Sequence, residues 1–289
     1  MHADGRPPLP DRVVRALRCS VCAAGLDLLE RTLRCPSGHT FDLARQGYVN
    51  LLHAKIPAGT ADTTDMVAAR VEFLGAGHYA PLTELVAERA AALTGDHGLT
   101  VDAGAGTGHY LAHVLDATGT DGLALDVSAA ALRRAARAHP RIGAAVWNLW
   151  EPWPVASGVA GLVLNVFAPR NGPEFHRVLA PGGALLVVSP GPGHLAELAG
   201  LVDLLEVDGD KQRRLDATLG EGFARTGHAE REFTMTLTPA DVRRAIGMGP
   251  NAHHLHRGER LARLDEVREP IEVTAAFRVS EYRAVEPGR

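Results

Sequence analysis

Cys19, Cys22 and Cys35, with His39 behind them, are spaced C-x2-C-x12-C-x3-H. Two thiolates on one turn, and a thiolate with an imidazole on a second, make the donor set of a tetrahedral zinc ion. The 289-residue chain has no other cysteine, so the clustering is informative. Core cysteines would sit singly on apolar faces, and a disulfide would strand one thiol and leave His39 without a task. Four protein ligands leave the ion no open position, so it is expected to staple a small module and not to do chemistry.

A second constellation lies in the run Val101-Asp102-Ala103-Gly104-Ala105-Gly106-Thr107-Gly108. Glycines at alternate positions let the backbone turn sharply and approach a ligand with no Cβ between. The dinucleotide pattern G-x-G-x-x-G fails, because His109 follows Gly108. Alternate spacing with an acid two residues ahead is the form that holds S-adenosylmethionine. In that form the backbone of Gly104, Gly106, Thr107 and Gly108 carries the methionyl part, and Asp102 meets its amino group. Asp126 ends the next apolar run, where a carboxylate can accept from both ribose hydroxyls. Its competing role is a helix N-cap, which Ser128 fills better. Asn148 is placed to hydrogen-bond the adenine edge, with Trp147 or Leu149 over its face.

These groups need a scaffold, and the chain predicts one by alternating strands and helices. Strands are expected over 99–102, 122–126, 143–147, 161–166 and 184–189, with helices over 110–117 and 129–138. Later strands over 230–237 and 272–279, with a helix over 239–246 between them, would complete an open seven-stranded sheet ending in a hairpin. The fold class is therefore α/β, a Rossmann-like methyltransferase sheet behind a small zinc-ribbon-like module. Helices are also expected over 64–74, 81–93 and 195–205, and a short one before residue 18. Three parts result: residues 1–52 as a zinc-binding recognition module, 53–65 as a linker and 66–289 as the methyltransferase domain. On that division, removing Cys19 or His39 would spoil the module and spare cofactor binding in the body.

The net charge of −4 hides an uneven distribution. Residues 1–60 carry eight Lys or Arg against five acids, so the front end is +3 and the remainder −7. A basic module on an acidic body suits contact with phosphate, although an arginine-rich solvated surface would look the same. With no long apolar run and no secretory-type start, the protein is expected to be cytoplasmic, where thiols stay reduced and free for metal.

Several stretches, read in order, resemble the RlmA-type 23S rRNA guanine-N1 methyltransferases. They are CPSGHTFDLARQGYVNLL, ADTTDMVAAR, FLGAGHYAPL, VDAGAGTGHY, LALDVS, NVFAPRN, LAPGGALLVVSPGPGHLAEL and MGPNAHH, which together span most of the chain. ADTTDMVAAR and NVFAPRN are similar to the Gram-positive and macrolide-resistance branch, which modifies a neighbouring guanine of the same hairpin loop. The resemblance implies that Tyr79 and His194 join the cofactor pocket, and that Gly106 and Thr107 touch the cofactor. It also implies a 23S rRNA hairpin as partner and a homodimer. No membrane association is expected.

Guanine N1 carries a proton and lies on the Watson–Crick edge, so the base must be looped or flipped out and its proton accepted. Asn165 and Arg170, after the fourth strand, are the candidate catalytic pair, one orienting the base and the other holding O6 or a phosphate. No residue identifies itself as the base. Arg12, Arg15, Arg18, Arg34, Arg45 and Lys55 are the expected phosphate contacts. Two alternatives stay open: a small-molecule methyltransferase of secondary metabolism, and a non-catalytic zinc-dependent RNA-binding protein.

Overall fold

In the computed structural model, residues 8–52, 61–95, 98–202, 219–249, 264 and 266–285 are described. Lys55, most of the expected linker and the histidines of MGPNAHH lie outside them, as does the end of the helix expected over 195–205.

The chain opens with helix α1 (Asp11–Ala16) and a three-stranded antiparallel sheet, β1 (Asp27–Leu29), β2 (Thr32–Arg34) and β3 (Thr40–Asp42). Strands this short cannot bury a core of their own, and Leu26, Leu33 and Leu43 are the buried leucines of the ribbon, beside two of the cysteines. β4 (Tyr48–Asn50) follows, and then helices α2 (Thr64–Gly75) and α3 (Ala80–Leu93). Thr63 caps α2 by accepting from the Met66 N–H at 3.2 Å.

The body is built from β5 (Leu99–Ala103), α4 (His109–Thr118), β6 (Asp121–Asp126), α5 (Ala129–Ala138), β7 (Ile142–Val146), β8 (Ala160–Val166), α6 (Gly172–Val178) and β9 (Leu179–Pro190). Then come α7 (Ala196–Val202), β10 (Phe223–Leu237), α8 (Pro239–Gly247) and β11 (Ile271–Ala284). β5, β7 and β8 are buried at every position, as strands covered on both faces must be. The sheet order is β10-β11-β9-β8-β5-β6-β7-β4. Strands β5 to β9 are mutually parallel, while β11 runs antiparallel to β9 and β10 antiparallel to β11. The order reverses at β5, which has β6 on one side and β8 on the other. In open α/β sheets the crevice at the carboxyl ends of such strands is where ligands bind.

The seven expected strands are present, and an eighth joins them. β4 pairs parallel with β7, Tyr48 facing Ala144 and Asn50 facing Val146. At the other end of the ribbon, Val13 of α1 lies over Gly143, its Cγ1 2.6 Å from where a Cβ would stand. Leu9, Val13, Leu33 and Cys35 share one buried cluster with Val101, Leu123, Ala145 and Trp147. Residues on both sides of the boundary expected at residue 52 therefore share one core, with β4 paired into the large sheet and α1 packed against it. α6 was not expected from the sequence: it is too short for a helical period to register, and it starts on an Asn171 cap.

Candidate active site and zinc centre

Two turns bring the metal-type ligands together. Ala23 N–H donates to the Cys19 carbonyl with Ala23 in the left-handed region, and Gly38, at φ +88°, closes the second turn onto Cys35. A zinc ion with bonds of ~2.3 Å to sulfur spaces tetrahedral thiolates about 3.8 Å apart. Cys22 Sγ and Cys35 Sγ stand 3.7 Å apart, and His39 Nδ1 lies 3.2 Å from Cys35 Sγ and 3.5 Å from Cys19 Sγ. All four ligand atoms lie within 4.8 Å of one another, so the residues fit the ion. The Ala24 backbone N–H brings the Cys22 thiol down to about 6, and burial raises that of Cys19. Burial also acts against the Cys35 thiolate, but hydrogen bonds from His39 outweigh it and the value falls.

At the crevice, Gly104, Gly106 and Gly108 all take positive φ, at +86°, +53° and +76°. Each also faces something close. A Cβ on Gly104 would stand 2.3 Å from the Ala168 Cβ, and one on Gly108 would stand 2.9 Å from the Ala135 backbone. The first glycine thus lets the loop after β8 close onto the loop after β5, and the third lets α4 start against α5. Asp126 accepts from the Gly106 N–H at 2.8 Å and from the Ser128 N–H at 2.8 Å. Ser128 also caps α5, so Asp126 is free of that task.

Asp102 is 2% exposed, and its Oδ1 has no hydrogen-bond partner among the described residues. Burial, together with the Asp126 carboxylate, raises its pKa well above the ordinary range. Asp126 is raised too, first by burial. Two desolvated carboxylates that repel each other across a glycine loop make a cradle for a cationic group. An α-ammonium would satisfy the orphaned oxygen and relieve the repulsion.

Tyr79 and His194 form a pair of their own. The Ala276 N–H donates to His194 Nδ1 at 3.3 Å, which puts the imidazole proton on Nε2, 3.3 Å from the Tyr79 hydroxyl. The phenol accepts that proton and keeps its own to donate; burial holds it neutral. Asp62 and Arg70 form an ion pair over the glycine loop, with Arg70 Nη1 3.3 Å from where a Gly106 Cβ would stand. Arg70 also donates to the Met248 carbonyl at 2.7 Å, and Ser128 Oγ donates to the Asp62 carbonyl at 3.0 Å. Neither Asp62 nor Arg70 was singled out from the sequence, since nothing local says that α2 and the residues leading into it lie over the glycine loop.

The remaining candidates are placed unequally. Asn165 is fully buried and spends both amide hydrogens on the Ala103 and Pro169 carbonyls, each at 3.0 Å. It staples the β5 and β8 loops together and has only its buried Oδ1 to offer a substrate. Arg170 is half-buried on the same loop. Asn148 turns its Oδ1 onto the Trp150 N–H at 3.2 Å, while Leu149 reaches within 3.6 Å of the Gly104 Cβ position. Arg18 donates to the Arg15 and Leu17 carbonyls, and Arg12 lies 3.9 Å from Asp121, so both are partly committed. Arg15, Arg34 and Arg45 are exposed.

Phe167 was missed altogether. It is 43% exposed and holds φ at +54°, a conformation costing a bulky side chain about 1–3 kcal/mol. The loop carrying it is tied to the loop after β7, since Asn171 donates to the Leu149 carbonyl at 2.9 Å. Trp150, 65% exposed, stands on that second loop.

A zinc-ribbon family described as the N-terminal part of RlmA matches residues 17–56. A Micromonospora griseorubida protein provisionally named a 23S rRNA (guanine-N1)-methyltransferase is 49% identical, over 93% of this chain and 97% of its own. The 23S rRNA (guanine(748)-N1)-methyltransferase of Streptomyces fradiae is 50% identical over 91% of this chain and 94% of its own. A Bacillus subtilis protein with a provisional name of the same kind is 33% identical over 63% of this chain and 66% of its own.

Proposed function

Since the chain belongs to the 23S rRNA (guanine-N1)-methyltransferase family, we propose that it moves a methyl group from S-adenosylmethionine to N1 of a guanine in a 23S rRNA hairpin loop. One observation carries this reading: identity of 49–50% runs through ribbon and body together, so recognition module and crevice come as one unit. The Streptomyces relative's named position supports nucleotide 748 as the target.

When bound, S-adenosylmethionine supplies a methyl already activated by a sulfonium, so the protein's task is mainly positioning. Asp102 would hold the ammonium, the backbone of Gly104, Gly106, Thr107 and Gly108 the methionyl chain, and Asp126 the ribose hydroxyls. Tyr79, held by His194, would donate to the cofactor from the preceding helical segment, and Asn148 with Leu149 would border the adenine. Asn165 keeps the acceptor loop fixed on the cofactor loop, and Arg170 would stabilise charge on guanine O6 as N1 loses its proton. Cys19, Cys22, Cys35 and His39 would hold a structural zinc. No helix among the described residues is long and apolar enough to cross a membrane.

The test is transfer of labelled methyl to 23S rRNA lacking the modification, mapped by primer-extension arrest, because a methyl on N1 blocks pairing. A stop at the target guanine is expected. Transfer to small metabolites but not to RNA would select the small-molecule reading.

The exposed ribbon arginines support phosphate contact. Arg34→Gln and Arg45→Gln are each expected to weaken RNA binding and to lower the dependence of log K on log salt by about 0.7, the value for one single-stranded phosphate contact. S-adenosylmethionine affinity should not move. Binding titrations over a salt series check this, and RNA affinity independent of salt would refute it.

A further inference from the structure

We propose that Phe167 is the platform on which the target guanine stacks, a role resting on the methyltransferase reading above. Three observations meet at this residue. First, it directly follows β8, one strand from the glycine loop, and the next residue, Ala168, fills the hollow over Gly104. Its ring therefore stands beside the place where donor and acceptor must meet. Second, the ring is supported from below and open above: its centroid lies 5.8 Å from that of Phe277 and 6.4 Å from that of Tyr110, yet it is 43% exposed. Third, its backbone sits at φ +54°, pinned by a Phe167 N–H to Val188 carbonyl bond of 3.2 Å.

The third observation decides between two explanations. If the left-handed turn existed only to drop Ala168 onto Gly104, glycine would make it without strain and without an exposed ring. A phenyl group held in that conformation, facing solvent at the mouth, acts on something that arrives from solution. An unpaired base is the partner whose chemistry fits, because every base has a π-face and N1 transfer needs the base out of any duplex. Tyr110 and Phe277 hold the ring from beneath, so the guanine meets a fixed surface.

The experiment compares full-length, zinc-loaded wild type with Phe167→Gly and Phe167→Tyr, using unmodified 23S rRNA. Three quantities are read: kcat/KM for labelled methyl transfer, S-adenosylmethionine affinity and the unfolding temperature. Phe167→Gly should unfold at the same temperature or higher and bind S-adenosylmethionine as wild type does. Its kcat/KM should fall about ten- to hundredfold, the loss of one stacked base. Phe167→Tyr, which keeps the ring, should stay within about threefold of wild type. Unchanged transfer by the glycine variant overturns the proposal, as does a tyrosine variant that loses as much as the glycine one. Wild type that methylates no RNA overturns the underlying reading, and the platform with it.

Discussion

Asp102→Asn should leave a protein that is as stable as the parent without cofactor, or more so, yet binds S-adenosylmethionine about ten- to hundredfold more weakly. The two effects share one cause. Asp102 is buried with an unpartnered oxygen, and its pKa is raised by burial and by the Asp126 carboxylate. The unliganded fold therefore favours the neutral form more than the unfolded chain does. A carboxyl with a raised folded pKa contributes most below its unfolded value, ~3.9, and the contribution is lost as pH rises through the folded value. Asparagine removes that loss. Binding has the opposite sign: an ammonium needs the ionised carboxylate, and a charge-assisted hydrogen bond is worth about 1.5–3 kcal/mol. Affinity in the parent should thus climb as pH rises towards the raised pKa, while the asparagine variant should show little of this slope. Calorimetric titration at several pH values, beside thermal unfolding without ligand, reads both. An asparagine variant with parental affinity would remove Asp102 from the cofactor site.

Stripping the zinc, or replacing Cys35 with serine, should lower the unfolding temperature of the entire chain in a single transition. The expectation drawn from sequence was a damaged module on an intact body. The shared core argues otherwise, since Cys19, Leu33 and Cys35 pack in the same cluster as Val101, Leu123 and Trp147. Metal binding is worth about 10–16 kcal/mol in small zinc peptides, comparable with the ~5–15 kcal/mol stability of a whole domain. Losing even ~5 kcal/mol of it would shift the midpoint by roughly 10–20 °C. Scanning calorimetry with and without a chelator distinguishes the cases. Two transitions, with the upper one unmoved, would restore the picture of independent parts.

Why some of this could be read from the chain and some could not has a physical explanation. The zinc quartet and the glycine loop are local: the quartet is two close pairs within 21 residues and the loop is one short run, so spacing alone points to the chemistry. The buried strands are nearly as plain, because LTVDA and AGLVLNV admit water on neither face. What stayed hidden depends on partners distant in sequence. β4 is three residues long and becomes a strand only through β7. Asp62 and Arg70 acquire meaning from Gly106, and Arg18 turns out to be occupied with the end of its own helix. Phe167 carried no signal at all, since a side chain's identity does not announce a left-handed backbone beneath it. Asn165, expected after the fourth strand as a catalytic group, lies within β8 and spends its donors on two carbonyls.

When zinc runs short, β4 becomes a liability for solubility. Three residues and the Leu51 N–H hold this segment to β7, and the ribbon that delivers them would fold on its metal. Once β4 peels away, Ile142 to Val146 presents a bare row of N–H and C=O groups along an apolar strand, the template on which chains of the same kind add to one another. Metal starvation would then remove the protein by deposition before its chemistry fails, making the four ligands guardians of a sheet edge that begins only nine residues after His39, at Tyr48.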